Sequence, residues 1–215
     1  MREVGLIIQD AVLEARQFRR LEKAVRALGT ERLRSTYQTT FWFDLKRAPR
    51  CLPEEAALAL RERLPSTPRK RIAGVEWWLS RMRTSDVRVD FHQDRDEKLA
   101  LRTGTLVHPR WSSVFFLNTC RGGLLAVTDA LPNEENDSKA PDRLDFDLVA
   151  PKPNRFAIFD GELTHGVLDD RNQIPTVARK GTGPLRLAVI FNWWHRRPEE
   201  IPEWHETRIY RSFAL

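Results

Sequence analysis

From residue 72 onward the apolar residues of this 215-residue chain come in brief runs, each too short for a helix and each bounded by glycine, proline or acidic residues. Residues 75–79, 87–94, 114–117, 124–128, 155–159, 164–168 and 186–194 are rich in Val, Ile, Leu, Phe and Trp, the composition of strands. A set of short strands can hide its apolar faces only when two sheets close on each other, so the series predicts a β-sandwich or barrel. No internal repeat divides it. The length supports one substantial core, read as a single domain 1–215: a helical flank at 1–70, a β core at 71–197 and a tail at 198–215.

Residues 10–28 carry Val12, Leu13, Phe18, Leu21, Val25 and Leu28 at helical spacing, with Gly29 as a stop. Residues 36–45 read as a strand. Pro53 opens a second helix, with Glu54 and Glu55 in its first turn, running to Leu64 before the prolines at 65 and 68. Amphipathic helices ahead of a β region pack their apolar stripe on the back of a sheet. Two polar stretches, 132–141 and 169–184, lack the apolar content of core and are expected as loops. The tail carries Trp204, Ile209, Tyr210 and Phe213 and is expected to pack down.

Thirty-six basic residues against 30 acidic ones leave a formal charge of +6, which favours anionic ligands although most such charges are ordinary solvated surface. Cys51 and Cys120 are far apart, form no spaced motif and read as reduced thiols. No stretch has the length and apolarity of a membrane span, and a cytoplasmic location is the expectation.

The run 87–94 alternates and ends in His92-Gln93-Asp94. In an extended strand residues two apart share a face, so His92 and Asp94 can offer an imidazole nitrogen and a carboxylate to one ion. A third ligand must come from elsewhere. His108 precedes a proline, His195 and His205 flank a basic tail, and His165 opens a new strand just after Asp160-Gly161. Two histidines and one carboxylate would leave three octahedral positions open, the arrangement of non-haem Fe(II) oxygenases.

In order, the chain then has Ser113-Val114-Phe115-Phe116-Leu117-Asn118, Gly122-Gly123-Leu124, Pro153-Asn154-Arg155-Phe156-Ala157-Ile158-Phe159, His165-Gly166-Val167 and Arg186 opening 187–194. With His92 and Asp94, this order and spacing over 75–194 resembles the 2-oxoglutarate/Fe(II)-dependent oxygenases, in their prolyl-hydroxylase-like branch. The resemblance implies a mainly β fold with flanking α, a double-stranded β-helix of the jelly-roll or cupin-like kind with the N-terminal helices packed on one sheet. It implies Fe(II) held by His92, Asp94 and His165, and Arg186 paired with the distal carboxylate of 2-oxoglutarate. It further implies O2 as cosubstrate, ascorbate as an accessory reductant, and release of succinate and CO2 as a C–H bond is hydroxylated, desaturated or cyclised. Two positions depart from the pattern. Ala188 stands where many relatives carry Ser or Thr, and Phe116 where prolyl-hydroxylase relatives often carry Tyr.

Alternation puts Arg88 and Asp90 on the face of His92 and Asp94, as candidate contacts for a small polar, amino-acid-like or carrier- or peptide-bound substrate. Asn192 shares the face of Arg186 and is a candidate for ordering cosubstrate or a metal-bound water; Asn118 is a weaker one. Asp96 and Glu97 read either as groups behind the metal or as an acidic loop. Of the adjacent Trp77 and Trp78, one must face the pocket and the other the helices. Two other functions compete: a nucleic-acid demethylase of the same superfamily, against which Ala188 counts because those enzymes usually carry Asn there, and a cupin-like metal-binding module that needs no Arg186.

Overall fold

The computed structural model describes residues 5–30, 33, 39–65, 71–87, 91–130, 145–175 and 183–215. In chain order the elements are β1 (Ile7–Asp10), α1 (Ala15–Ala27), β2 (Phe41–Asp44), α2 (Leu52–Arg61), β3 (Gly74–Arg83), α3 (Glu97–Thr103), β4 (Trp111–Phe116), β5 (Leu125–Thr128), β6 (Asp147–Val149), β7 (Arg155–Asp160), β8 (Thr164–Val167) and β9 (Leu185–Trp194). Two 3₁₀ turns, Trp204–Glu206 and Arg211–Phe213, end the chain. The strands form a six-stranded sheet in the order β1-β7-β4-β9-β3-β2 and a three-stranded sheet in the order β6-β5-β8, with every pair antiparallel.

Strand alternation divides the large sheet into two faces. Phe115, Phe156, Ile158, Leu187, Val189, Phe191 and Trp193 point outward, where Leu21 and Val25 of α1 and Ala56, Ala57 and Leu60 of α2 cover them. Their alternates Val114, Phe116, Ala157, Phe159 and Ala188 point inward and meet Leu125, Val127 and Val149 of the small sheet. The helices therefore seal one face, and the site lies on the other, between the sheets. Trp77 is buried on the helix side, and half-buried Trp78 looks inward.

Several elements differ from the sequence reading. Residues 7–10 form an edge strand on β7, so α1 begins at Ala15 rather than at Asp10. The turn between them is set by Asn154, whose side chain accepts from Leu13 N and donates to Leu13 O, both at 2.9 Å. Such a lock on a distant backbone leaves no local periodicity to read. Only Phe41–Asp44 of the strand expected at 36–45 is a strand, and residues 36–38 lie outside the described residues.

Of the expected strand at 87–94, none of the described residues belongs to a ladder. Residues 88–90 lie outside the described residues, and residues 91–94 contain a single isolated bridge, His92 with His165. Helix α3 went unread because none of its residues is buried, so it carries no apolar stripe. The loop expected at 132–141 lies outside the described residues, as do residues 176–182 of the other. In the tail Trp204 and Phe213 are buried, as expected.

Asn118, a weaker site candidate that a strand-end hydrogen bond to backbone explains equally well, makes that backbone contact. Its amide donates to Leu185 O at 2.7 Å and accepts from Leu187 N at 2.8 Å, closing the start of β9 against the end of β4. Replacing it by alanine would strand two backbone groups that are cut off from water. Asn118→Ala is expected to lower the unfolding free energy by about 2–3 kcal/mol in urea titrations. Asn118→Asp, which keeps the acceptor but loses the donor, is expected to fall between the two.

Candidate metal centre

His92 and His165 meet across their isolated bridge, held by His92 N to His165 O at 3.0 Å and His165 N to His92 O at 2.9 Å. The bridge fixes the imidazoles against each other, ring centroids 4.6 Å apart. Asp94 completes the group. His92 Nε2 lies 3.6 Å from Asp94 Oδ1, and His165 Nε2 lies 3.4 Å from Asp94 Oδ2. One donor atom from each residue falls within 4.8 Å of the others, and among the described residues this is the sole such cluster.

Two of the donors are also biased toward their metal-binding forms. His165 Nδ1 is 3.1 Å from Leu163 O, an acceptor, so Nδ1 carries the proton and Nε2 keeps its lone pair. Burial pushes the His165 pKa down, which keeps the ring neutral, against an opposing pull from Asp94. For Asp94, burial alone would raise the pKa. Attraction to the protons that the facing histidines can carry, His165 foremost, and a 2.6 Å hydrogen bond donated by Ser112 Oγ outweigh it and hold the carboxyl well below the usual range. A neutral His165 imidazole and an ionised Asp94 carboxylate are the forms that bind a divalent ion.

The other three histidines are occupied elsewhere. His108 Nδ1 donates to the Asp94 carbonyl at 2.7 Å, which steadies the ligand from behind. His195 donates to Arg71 O and His205 pairs with Glu203. Asp96 caps α3 through Leu99 N and binds Arg196 at 2.9 Å, while Glu97 pairs with Arg95 on the surface. Neither stands behind the metal ligands. Arg88 and Asp90 lie outside the described residues.

Arg186, 1% exposed, is buried on the inner face. Its Nε donates to Gly123 O at 2.9 Å, one Nη1 hydrogen goes to Ser80 Oγ at 3.1 Å, and the guanidinium carbon lies 5.1 Å from the Phe116 ring centre. No carboxylate pairs with it among the described residues. Burial without a counterion pulls its pKa down to about 10, still charged at neutral pH. A buried cation of this kind is costly unless an anion joins it.

Cross-strand register arranges the inner face in rows. Glu76, Asn192 and Ser112 are neighbours on β3, β9 and β4; Trp78, Ile190 and Val114 form the next row; Ser80, Ala188 and Phe116 form the third. The first row leads through Ser112 to Asp94, and the third borders Arg186. An apolar row separates them.

Glu76 was not singled out from the sequence, since a glutamate between Val75 and Trp77 gives no sign of which face it will occupy. It accepts from Trp194 Nε1 at 3.2 Å and is buried beside Asn192, whose buried Oδ1 has no hydrogen-bond partner among the described residues. Burial chiefly, helped by the charge of Asp94, raises its pKa to about 7 from an ordinary 4.5.

No protein-family model matches the chain, and no curated protein matches it. Solved structures do. A prolyl-4-hydroxylase of Pseudomonas putida aligns over 91% of this chain and 95% of its own, at 18% identity and a TM-score of 0.53. AviO1 of Streptomyces viridochromogenes Tue57 aligns over 94% of each chain at 16% identity and a TM-score of 0.55. HygX of Streptomyces hygroscopicus, solved with nickel and 2-oxoglutarate, aligns over 97% of this chain and 90% of its own at 16% identity and a TM-score of 0.51. This chain shares their fold. It is mainly β with flanking α, the double-stranded β-helix that the sequence resemblance implied, with the helices on one sheet.

The Glu76 shift has a consequence for stability. Between pH 4.5 and about 7 the folded protein holds a proton that the unfolded chain releases, so this contribution is lost as pH rises through that window. With metal removed by EDTA, the unfolding free energy of the wild type is expected to fall from pH 5 to 8 more steeply than that of Glu76→Gln. The difference has a ceiling of about 3 kcal/mol. Parallel curves would mean that Glu76 is not the group responsible.

Proposed function

We propose that the chain is an Fe(II)- and 2-oxoglutarate-dependent oxygenase acting on an unactivated C–H bond, with His92, Asp94 and His165 as metal ligands. The observation that carries this is the pairing of two features in the space between the sheets: an open two-histidine, one-carboxylate cluster, and a buried arginine that has no anionic partner among the described residues. A cupin-like metal module accounts for the first and leaves the second as an uncompensated cost. A cosubstrate with a metal-chelating 2-oxo acid at one end and a carboxylate at the other accounts for both, and its methylenes suit the apolar row of Trp78, Ile190 and Val114. The likeness in fold to HygX, solved with nickel and 2-oxoglutarate, supports the same reading.

Iron with 2-oxoglutarate and O2 bound supplies the oxidising chemistry, releasing succinate and CO2 as the C–H bond is attacked. The chain's own part is positional. The Leu163 carbonyl sets the His165 tautomer, Ser112 and His108 hold Asp94 from its side chain and its backbone, and Phe116, Val114 and Ala188 keep water from the cosubstrate. Arg186 holds the distal carboxylate. Asn192, buried beside Glu76 and Ser112 with an unpartnered oxygen, is assigned to ordering a metal-bound water or the cosubstrate's chelating end.

The substrate belongs to the small polar class, amino-acid-like or bound to a carrier or peptide, with Arg88 and Asp90 as its contacts. The fold shared with a prolyl-4-hydroxylase supports that class. Residues 1–215 act as one unit, the α1 and α2 flank covering the outer face of the sheet that carries Arg186.

The test is succinate formation from 2-oxoglutarate with Fe(II) and ascorbate, alongside thermal stability with Mn(II) and 2-oxoglutarate. Wild type is expected to turn over and to be stabilised. Asp94→Ala and His165→Ala should lose both responses, and Arg186→Gln should weaken 2-oxoglutarate binding by about a hundredfold or more. Absence of both turnover and 2-oxoglutarate-dependent stabilisation in the wild type would sink the reading.

A further inference from the structure

Relatives that the sequence resembles complete the distal carboxylate site with a hydroxyl, from Ser or Thr two residues after the arginine or from a Tyr on a neighbouring strand. This chain has Ala188 and Phe116 at those positions. Both side chains are wholly buried on the inner face beside Arg186, and neither can donate a hydrogen bond.

A hydroxyl is nevertheless present. Ser80 on β3 is the direct cross-strand partner of Ala188 on β9, on the same inner face. Its Oγ accepts a hydrogen bond from Arg186 Nη1 at 3.1 Å. Accepting that bond leaves its own proton free, and no described residue takes it.

The guanidinium is similarly underused. It has five N–H bonds, of which the Nε hydrogen goes to Gly123 O and one Nη1 hydrogen to Ser80. Its Nη2 meets no protein acceptor among the described residues. With Nε engaged, the Nη groups are the ones left for an anion, and Ser80 lies beside them, bonded to Nη1.

Gly123 keeps it so. Its φ of +66° is a left-handed conformation, and a Cβ there would come within 2.9 Å of both Arg186 Cδ and Thr84 Cγ2.

We propose that Ser80 is the missing donor: the distal carboxylate of 2-oxoglutarate is received jointly by the Nη edge of Arg186 and the Ser80 hydroxyl. The hydroxyl has moved from β9 to the adjacent strand. This rests on the oxygenase reading above and names a cosubstrate-binding residue that the pattern along β9 does not contain. Ser80 rotates its proton onto a carboxylate oxygen while still accepting from Arg186, so one hydroxyl both orients the arginine and satisfies the ligand.

The test measures binding, by calorimetry on the Mn(II)-loaded protein without O2, of two probes. 2-Oxoglutarate carries the distal carboxylate, and 2-oxobutyrate chelates metal but lacks it. Ser80→Ala is expected to bind 2-oxoglutarate about tenfold more weakly, with 2-oxobutyrate binding unchanged. Adding Ala188→Ser to Ser80→Ala is expected to restore most of the loss.

Three results would overturn the assignment: undiminished 2-oxoglutarate binding in Ser80→Ala, equal loss for both probes, or a loss that Ala188→Ser does not mend. The last would reduce Ser80 to a support for Arg186. If Arg186→Gln loses 2-oxoglutarate binding while Ser80→Ala does not, the oxygenase reading stands and only the Ser80 assignment fails. If the wild type binds no 2-oxoglutarate, both fall.

Discussion

Strand β9 lies hydrogen-bonded between β3 and β4, and that sandwiching commits each of its ten residues to one of two environments. Leu187, Val189, Phe191 and Trp193 must meet the helices, while Arg186, Ala188, Ile190 and Asn192 must meet the space between the sheets. A slip of one residue would exchange the two sets and put a guanidinium into the apolar layer under α1 and α2. Register is therefore fixed by the cost of burying the wrong face. The same register sets the positions of Glu76, Ser80, Ser112 and Phe116, because each is the partner of a β9 residue.

Within that frame, three buried ionisable groups set the electrostatics. Asp94 is drawn toward its ionised form by the facing histidines, when they carry a proton, and by a hydroxyl, whereas Glu76 has a hydroxyl and an indole for partners and, among the described residues, no cation, and is drawn toward the neutral form. Among the described residues Arg186 keeps its charge with a carbonyl and a hydroxyl as hydrogen-bond partners, an aromatic face beside it and the Cys120 thiol nearby. A structural arginine at this depth would be expected to carry a carboxylate partner. None is found among the described residues, which is the observation behind the proposed cosubstrate site.

Much of this was legible in the chain. The strand series and the outward apolar alternates of β9 follow from period-two patterning, and the order of His92, Asp94, His165 and Arg186 pointed to residues that the fold does bring to one inner region. What escaped reading did so for identifiable reasons. Helix α3 buries nothing and so has no stripe, β1 is held by pairing with a strand about 150 residues on, and the turn after it is locked by Asn154. Asn118 looked like a site residue because a pocket ligand and a backbone bridge both call for a polar side chain near a strand end. Residues 91–94 read as strand from their alternation, but a bridge of one pair, not a ladder, joins His92 to His165.

The missing hydroxyl shows most directly why a motif read along one strand is incomplete. The ligand does not sense sequence distance from Arg186; it senses which donors reach the Nη edge. On an antiparallel sheet that edge is bordered equally by the second residue along β9 and by its partners on β3 and β4. Three positions, 80, 116 and 188, can therefore supply one chemical function, and a chain that fills one of them is free to fill the others with Phe and Ala. The spare volume goes to apolar burial around the guanidinium, where a lower effective dielectric strengthens whatever bond the arginine makes to an anion. Under the Ser80 proposal, alanine at 188 is therefore no sign of a weakened site, because a hydroxyl stands directly across from it.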